Sequence, residues 1–179
     1  RLIKTNPGIF ISVYKVLFKR DPHTYYQPNQ NEQKYFAHGR DPFFPAWQDT
    51  IQINIFSKEA RKFLINTLLA LAKICDGVRC DMSMLLLNNV FKNTWGGVLG
   101  KNGFDKHGSE FWAEAITEVK NERADFLFIA EAYWNLEYDL QQIGFDFTYD
   151  KKLTDRLKFA PVKEIHDHLL ADNDYQKKS

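Results

Sequence analysis

The chain has 179 residues and is nearly neutral, with 24 Lys and Arg against 23 Asp and Glu. This balance argues against a nucleic-acid partner, because nucleic-acid-binding surfaces carry a clear basic excess. A mean hydropathy of −0.45 and the lack of an apolar run approaching ~18 residues argue against a membrane partner. The composition is otherwise that of an ordinary globular chain, with 44% hydrophobic and 26% charged residues.

The sequence contains two cysteines, Cys75 and Cys80. They lie too close together to indicate a disulfide framework, and no second pair of metal-ligand residues accompanies them, so no zinc site is predicted. The first ten residues lack the long apolar core and the cleavage site of a signal peptide. Together these features favour the cytoplasm over an oxidising compartment.

Residues 1–56 are predicted to be a largely irregular loop region. The apolar residues of 9–18 suit a short helix, and a polar loop follows at 21–34. Residues 37–54 contain two prolines and a glycine and end in an alternating apolar pattern, which predicts a long ordered loop and a short extended piece. Loops of this length inside a compact domain are usually functional.

The pattern changes at Ser57, a suitable N-cap for a helix with apolar positions at a helical period. Strands are predicted at 76–82, 126–130 and 145–150. Helices are predicted at 57–74, 109–122 and 135–144, and again after residues 151 and 161. A glycine-rich loop is predicted from Gly96, Gly97, Gly100, Gly103 and Gly108. This alternation predicts an α/β fold with a parallel sheet over 57–171, followed by a frayed polar tail at 172–179.

Acidic residues stand at the carboxyl ends of two predicted strands, where ligands collect in parallel α/β folds. Asp81 ends the first strand, and Glu131 ends the second. Two carboxylates at neighbouring strand ends suit a retaining glycosidase, in which one attacks the sugar and the other transfers the proton. Arg79 lies two residues before Asp81, so both side chains point to the same face and the guanidinium keeps Asp81 ionised. On spacing alone, a structural Arg–Asp pair and a strand-end cap at Glu131 are the alternatives.

Further residues are candidates for contact with a sugar. Tyr133 and Trp134 follow Glu131 and are predicted to form a stacking floor and to raise the pKa of that carboxyl by desolvation. Candidate cleft residues on the long loop are His38, Arg40, Trp47 and Asp49. The alternative for these loop residues is a structural role in a loop held by its own hydrogen bonds.

Four segments together resemble the α-amylase family of glycoside hydrolases. They are WQDTIQIN (47–54), DGVRCDM (76–82), IAEAYW (129–134) and GFDFTYDK (144–151). The resemblance extends from about His38 to about Leu157. It implies a partial (β/α)₈ TIM barrel containing strands four to six with their helices, preceded by the loop region that follows strand three. It also implies action on α-glucosidic bonds with retention, with Asp81 as nucleophile, Glu131 as general acid/base and Arg79 as the partner of the nucleophile.

The sequence departs from the family pattern in three places. It has no third-strand Asn-His motif and no seventh-strand Asn-His-Asp motif; the nearest string, His166-Asp167-His168, is predicted to lie on a solvated helix face. Met84 and Leu85 occupy positions where many members have Lys-His, so starch is not the predicted substrate. Because a complete barrel takes ~250 residues, we expect the remainder of the barrel to come from a longer protein or from other chains.

The first hypothesis is therefore a segment of a retaining α-glycosidase or transglycosidase that acts on an oligo- or polysaccharide. The alternative is a non-catalytic carbohydrate-binding or structural subunit. The reason is that the third carboxylate of the family, the Asp of its seventh-strand Asn-His-Asp motif, is absent from the chain. A chance match in an unrelated α/β protein is the third possibility. No cofactor is predicted. Calcium is bound by some members of the family, but no ligand set for it is placed in this sequence.

Overall fold

The computed structural model describes residues 7–29, 33–99, 108–171 and 173–179. Within them the strands are β1 (Ser12–Val13), β2 (Tyr25–Tyr26), β3 (Tyr35–Ala37), β4 (Gly77–Cys80), β5 (Leu127–Ala130) and β6 (Phe147–Thr148). The α-helices are α1 (Lys15–Arg20), α2 (Lys58–Leu71), α3 (Asn88–Leu99), α4 (Phe111–Glu122), α5 (Glu137–Ile143), α6 (Lys151–Phe159) and α7 (Val162–Leu170). Short 3₁₀ helices lie at Pro7–Ile9, Ser83–Leu86 and Asp174–Lys178.

The chain forms two compact units, the first drawn from Arg1–Asn66 and Asn88–Phe111. Its sheet is antiparallel in the order β1-β3-β2, with Phe36 of β3 opposite Ser12 on one side and Tyr26 on the other. Phe36 is buried against Phe10, Ile9 and Ala60. The sequence predicts a largely irregular region here with a short helix within 9–18. Helix α1 partly overlaps that range, and the small sheet is not predicted. Strands of two or three residues are too short to show a period of two in sequence.

The prediction of a glycine-rich loop is wrong at its beginning, where the structure has helix α3. Gly96 and Gly97 lie inside the helix, and Trp95 before them is buried in the first unit. Gly100 and Gly103 lie outside the described residues, as do residues 30–32 of the predicted loop at 21–34. The error arose because two adjacent glycines are a strong loop signal, whereas here the burial of Phe91, Trp95 and Leu99 along one side of the helix outweighs it.

The second unit, drawn from Thr67–Leu87 and Trp112–Ser179, contains the predicted parallel sheet. The order is β4-β5-β6, with Cys80 opposite Ala130 and Ala130 opposite Thr148. The three strands lie within the three predicted segments, and α4, α5, α6 and α7 fall close to the predicted helices. The α/β prediction with a parallel sheet is confirmed.

The two faces of this sheet differ in burial. Phe128 and Ala130 of β5 are fully buried, and Phe128 packs in a ring cluster with Phe126 and Phe145. The opposite face bears Leu127 and Phe147, which are 42% and 44% exposed. An incomplete barrel is expected to expose apolar residues of its strands, and the sequence indicates Val78, Cys80, Phe126, Phe128 and Phe145 for this. Cys80, Phe126, Phe128 and Phe145 are instead buried. The exposed residues lie on the other face of β5 and β6, because successive side chains of a strand point to opposite faces.

His168 is not on a solvated helix face as predicted. Its side chain is 2% exposed, and its Nε2 lies 2.6 Å from Oδ2 of Asp150. Its Nδ1 accepts from the guanidinium of Arg156. Asp150 also caps α6 by accepting from the Leu153 amide at 2.9 Å. His168 therefore joins α7 to the start of α6, while His166 and Asp167 are exposed as predicted.

The polar tail is ordered where it is described. Asn173 and Gln176 form a reciprocal capping box at the 3₁₀ helix Asp174–Lys178. Gln141 of α5 donates hydrogen bonds to Thr148 Oγ1 and to the Tyr175 carbonyl, each at 2.8 Å. The prediction of fraying is wrong for residues 173–179, because local capping satisfies backbone groups that the polar composition alone does not reveal.

Gly77 allows β4 and β5 to approach each other closely. A Cβ at this position would lie 2.6 Å from the carbonyl oxygen of Leu127 and 2.8 Å from its Cβ. We expect Gly77→Ala to lower the free energy of unfolding by about 1–3 kcal/mol, because the sheet must open to admit the methyl group. Denaturant titration of the protein measures this.

Gly97→Ala is the matched control, since no atom lies within 4 Å of a Cβ built there in α3. Alanine is more favourable than glycine in a helix interior, so this substitution should raise the free energy of unfolding by about 0.5–1 kcal/mol. Equal effects of the two substitutions would contradict the close approach of β4 and β5.

Candidate active site

Each of the three parallel strands is followed directly by a residue with a polar side chain. Asp81 follows Cys80, Glu131 follows Ala130, and Tyr149 follows Thr148. The strands are held in register at this edge, since the Glu131 amide donates to the Cys80 carbonyl at 3.0 Å and the Tyr149 amide donates to the Ala130 carbonyl at 2.9 Å. Asp81, Glu131 and Tyr149 therefore lie side by side at the carboxyl edge of the sheet.

The guanidinium of Arg79 connects all three. Its Nη1 donates to Oδ2 of Asp81 at 2.7 Å, and its Nη2 forms an ion pair with Oε2 of Glu131 at 2.9 Å. Its Nε donates to the Tyr149 hydroxyl at 3.1 Å. The hydrogen bonds to Tyr149 and Asp81 hold the pKa of Arg79 above its ordinary value. A permanently charged, planar group thus spans the two carboxylates.

The two carboxylates have different environments. The side chain of Asp81 is 76% exposed, whereas that of Glu131 is 12% exposed. Oε2 of Glu131 also accepts from the Met82 amide at 2.7 Å, and Oε1 accepts from the Tyr133 hydroxyl at 2.6 Å. Asp81 is therefore accessible to an incoming molecule, while Glu131 is fixed in orientation by its neighbours.

The backbone around these residues is unusual. Met82, Trp134 and Asn135 have φ values of 45°, 64° and 61°, in the left-handed region that non-glycine residues rarely adopt. Such backbone costs about 1–3 kcal/mol per residue, persists only where its surroundings enforce it, and is concentrated at functional sites. The conformation of Met82 accompanies the hydrogen bond from its amide to Glu131.

Tyr133 contacts Glu131 through its hydroxyl, a hydrogen bond that the predicted stacking role did not anticipate. Burial raises the pKa of Tyr133 to about 12, with smaller contributions from the hydrogen bond and the charge of Glu131. The phenol therefore stays protonated at neutral pH and donates. Trp134, the other predicted stacking residue, is half-buried beside it.

The four remaining predicted residues lie in the first unit. His38 is buried, stacks on Tyr26 at 4.5 Å between ring centroids, and donates from Nδ1 to the Thr50 carbonyl at 2.7 Å. The amide of Trp47 donates to the Gly39 carbonyl at 2.8 Å, so the loop is closed by its own hydrogen bonds.

Arg40 lies over the ring of Trp95, with its guanidinium carbon 5.1 Å from the centroid, and donates to the Thr94 carbonyl. Asp49 is exposed. These contacts account for His38, Arg40 and Trp47 as elements of loop structure, and their contact with substrate remains a prediction.

Sequence reasoning missed two groups of the second-unit site. Tyr149 has a signal in the sequence, because it follows a predicted strand just as Asp81 and Glu131 do. The Met82 amide has none, because a backbone donor becomes visible only when the turn after the strand is known.

In the part of the chain that the structure describes, no group of three or more His, Cys, Asp and Glu side chains is arranged to hold a metal ion. None of the helices in that part combines the length and apolar character needed to cross a membrane.

Comparison with known proteins finds solved structures that are similar to this chain. No family profile matches the sequence, and no curated protein sequence matches it. Amy13B of Eubacterium rectale superposes with a TM-score of 0.58 at 15% identity, covering 99% of this chain and 32% of its own. An α-amylase from Lactobacillus plantarum gives a TM-score of 0.49 at 20% identity, covering 90% and 36%. An α-amylase from H. orenii gives 0.46 at 16% identity, covering 77% and 28%.

The chain thus spans about a third of the length of these structures. The superposition on Amy13B shows a shared fold and confirms that the three-stranded sheet with its helices is part of a barrel. The predicted resemblance to an α-amylase-type barrel is confirmed at the level of the fold.

The raised pKa of Tyr133 predicts a pH dependence of stability. Because the phenol ionises at its ordinary value of 10.0 in the unfolded chain and at about 12 in the folded one, its contribution is complete below about pH 10. It is lost as the pH rises toward about 12. The free energy of unfolding of the wild type should therefore fall toward that of Tyr133→Phe over this range, as measured by denaturant titration.

Tyr14→Phe is the control, because Tyr14 is 66% exposed. A difference between wild type and Tyr133→Phe that stays constant from about pH 8 to about pH 12 would show that the pKa of Tyr133 is not raised in the folded state.

Proposed function

We propose that this chain is the catalytic segment of a retaining α-glycosidase or transglycosidase acting on α-glucosidic bonds of an oligo- or polysaccharide. Asp81 is the nucleophile, Glu131 the general acid/base, and Arg79 the partner of both. The observation that carries the proposal is the single guanidinium bound to both carboxylates at neighbouring strand ends. The shared fold with Amy13B supports it.

Retention requires two carboxyl groups about 5–5.5 Å apart, and inversion requires roughly 6.5–9.5 Å to admit a water molecule. Asp81 and Glu131 are bound to the two terminal nitrogens of one guanidinium. This sharing limits the distance between the two carboxyl groups, and the retaining arrangement is the one proposed.

In the first step, a carboxylate oxygen of Asp81 attacks the anomeric carbon and forms an ester bond. The bond from that carbon to the glycosidic oxygen breaks, and the proton of Glu131 passes to the departing oxygen. In the second step, the Glu131 carboxylate takes a proton from water or from a sugar hydroxyl. The resulting oxygen nucleophile attacks the anomeric carbon, and the ester bond breaks to restore the Asp81 carboxylate.

The environments of the two acids suit these roles. Asp81 is exposed at the strand end and held by a cation, so its carboxylate is accessible to an anomeric carbon and fixed in position. Glu131 is largely buried, and its orientation is fixed toward the neighbouring strand by Arg79 and the Met82 amide. The exposed carboxylate, Asp81, is therefore proposed as the nucleophile, and the buried one, Glu131, as the acid. Paired carboxylates of other enzymes likewise take different roles because their environments differ.

The half-exposed sheet face with Leu127 and Phe147 is proposed to be the interior face of the barrel, covered by the remaining strands. Parallel sheets are normally covered on both faces. Those remaining strands would also supply the third carboxylate of the family, the Asp of the seventh-strand Asn-His-Asp motif. The boundaries predicted from sequence, a loop region at 1–56 and a barrel segment at 57–171, are kept as part of this proposal, and so are the substrate contacts of the four loop residues.

Two substitutions in the full-length protein test the roles. Asp81→Asn should lower kcat/KM for α-glucosides at least about 10³-fold, because no ester can form. Glu131→Gln should cost about 10²–10⁴-fold on an oligosaccharide but much less on a nitrophenyl α-glucoside, because nitrophenolate departs without a proton. Steady-state kinetics on both substrates measure this, and proton NMR should show the α-anomer as first product.

Asp125→Asn is the control, since Asp125 is an exposed carboxylate paired with Arg123 just before β5. It should leave activity within about twofold. Undiminished activity of Asp81→Asn, or a β-anomer as first product, would refute the assignment. A full-length protein that binds α-glucan without turning it over would instead favour the non-catalytic subunit.

A further inference from the structure

The two carboxylate oxygens of Glu131 have partners of different kinds. Oε2 faces the Arg79 guanidinium at 2.9 Å and the Met82 amide at 2.7 Å. Both are donors in every protonation state and have no acceptor to offer. A proton on Oε2 would therefore be directed at two donors, which makes Oε2 the oxygen that stays unprotonated.

Oε1 faces the Tyr133 hydroxyl at 2.6 Å. A phenol hydroxyl both donates and accepts, and its hydrogen turns about the C–O bond. It can donate to Oε1 when Glu131 is ionised and accept from Oε1 when Glu131 is protonated. The hydrogen bond therefore survives both states that a general acid/base must visit.

We propose that Tyr133 is a positioning residue that holds the catalytic proton of Glu131 on Oε1, through a hydroxyl that reverses its hydrogen bond as Glu131 changes protonation. The inference rests on the role proposed above for Glu131. It replaces stacking on the sugar as the main function of Tyr133. It also requires the departing glycosidic oxygen to approach Oε1 and not Oε2.

The charged and titratable groups around the pair come from two strand ends and one helix. Arg79 and Asp81 lie on and after β4, and Tyr149 follows β6. Lys151 of α6 lies with its Nζ 5.9 Å from the Tyr133 ring centroid. All four groups are retained when the Tyr133 hydroxyl is removed, so a change in the titration of Glu131 reports on that hydroxyl.

The phenol keeps its proton throughout the pH range in which a carboxyl titrates, because its own pKa is raised to about 12. A hydrogen bond to the ionised carboxylate is stronger than one from the neutral acid. Loss of the hydroxyl therefore destabilises ionised Glu131 more than protonated Glu131, which raises the pKa of Glu131.

The test measures this titration directly in the full-length protein. With ¹³C-labelled glutamate, the carboxyl resonance of Glu131 is identified as the one absent from Glu131→Gln. Tyr133→Phe should raise its midpoint by about one pH unit. The alkaline limb of kcat/KM should move up by the same amount, because free enzyme must carry the proton to act as acid. Tyr138→Phe, on an exposed tyrosine of α5, is the neutral control.

An unchanged midpoint in Tyr133→Phe would overturn the inference, and an unchanged KM and kcat would remove any positioning role. Incorporation of 3-fluorotyrosine is a second test that keeps the side-chain shape. A more acidic phenol donates more strongly, so the midpoint should fall, and a rise would contradict the proposal. Full activity of Glu131→Gln would refute the role of Glu131 itself and thus separate failure of the proposed function from failure of this inference.

Discussion

One guanidinium organises the candidate site. Arg79 is bound at the same time by Asp81, Glu131 and Tyr149, which are the first residues after three adjacent parallel strands. The contact depends on strand register, because Cys80 lies opposite Ala130 and Ala130 opposite Thr148. A shift of one strand by one residue would turn its side chains to the other face and separate the acids. The close approach at Gly77 and the aromatic core under β5 therefore serve the site by holding this register.

Much of the fold of the second unit could be predicted from sequence, because its elements carry strong patterns. The apolar run of β5 and the alternation in β4 identify strands, and the helical period after Ser57 identifies α2. The same patterns place Asp81 and Glu131 at strand ends, and the two-residue step from Asp81 puts Arg79 on the same face. Sequence therefore predicts the members of this cluster, and its hydrogen-bond geometry comes from the register of the sheet.

The errors share a physical origin in tertiary context. His168 looks like part of a charged helix face, but packing of α7 on α6 buries it against Asp150. Gly96 and Gly97 weaken a helix intrinsically, yet burial of the apolar side of α3 outweighs this cost. Strands of the first unit are too short for any pattern to show. The hydrogen bond from the Met82 amide to Glu131 has no signal in the sequence, because it accompanies a left-handed backbone conformation after β4.

The account depends most directly on Asp81 forming a covalent bond to the sugar while Arg79 holds it beside the proton donor. A 5-fluorinated α-glucosyl fluoride tests this, since fluoride leaves readily while the ring fluorine slows release of the ester. After treatment of the full-length protein, protease digestion and mass spectrometry should find one fluoroglucosyl group on the peptide containing Asp81. An active protein that carries the group on a different residue, or on none, would contradict the account.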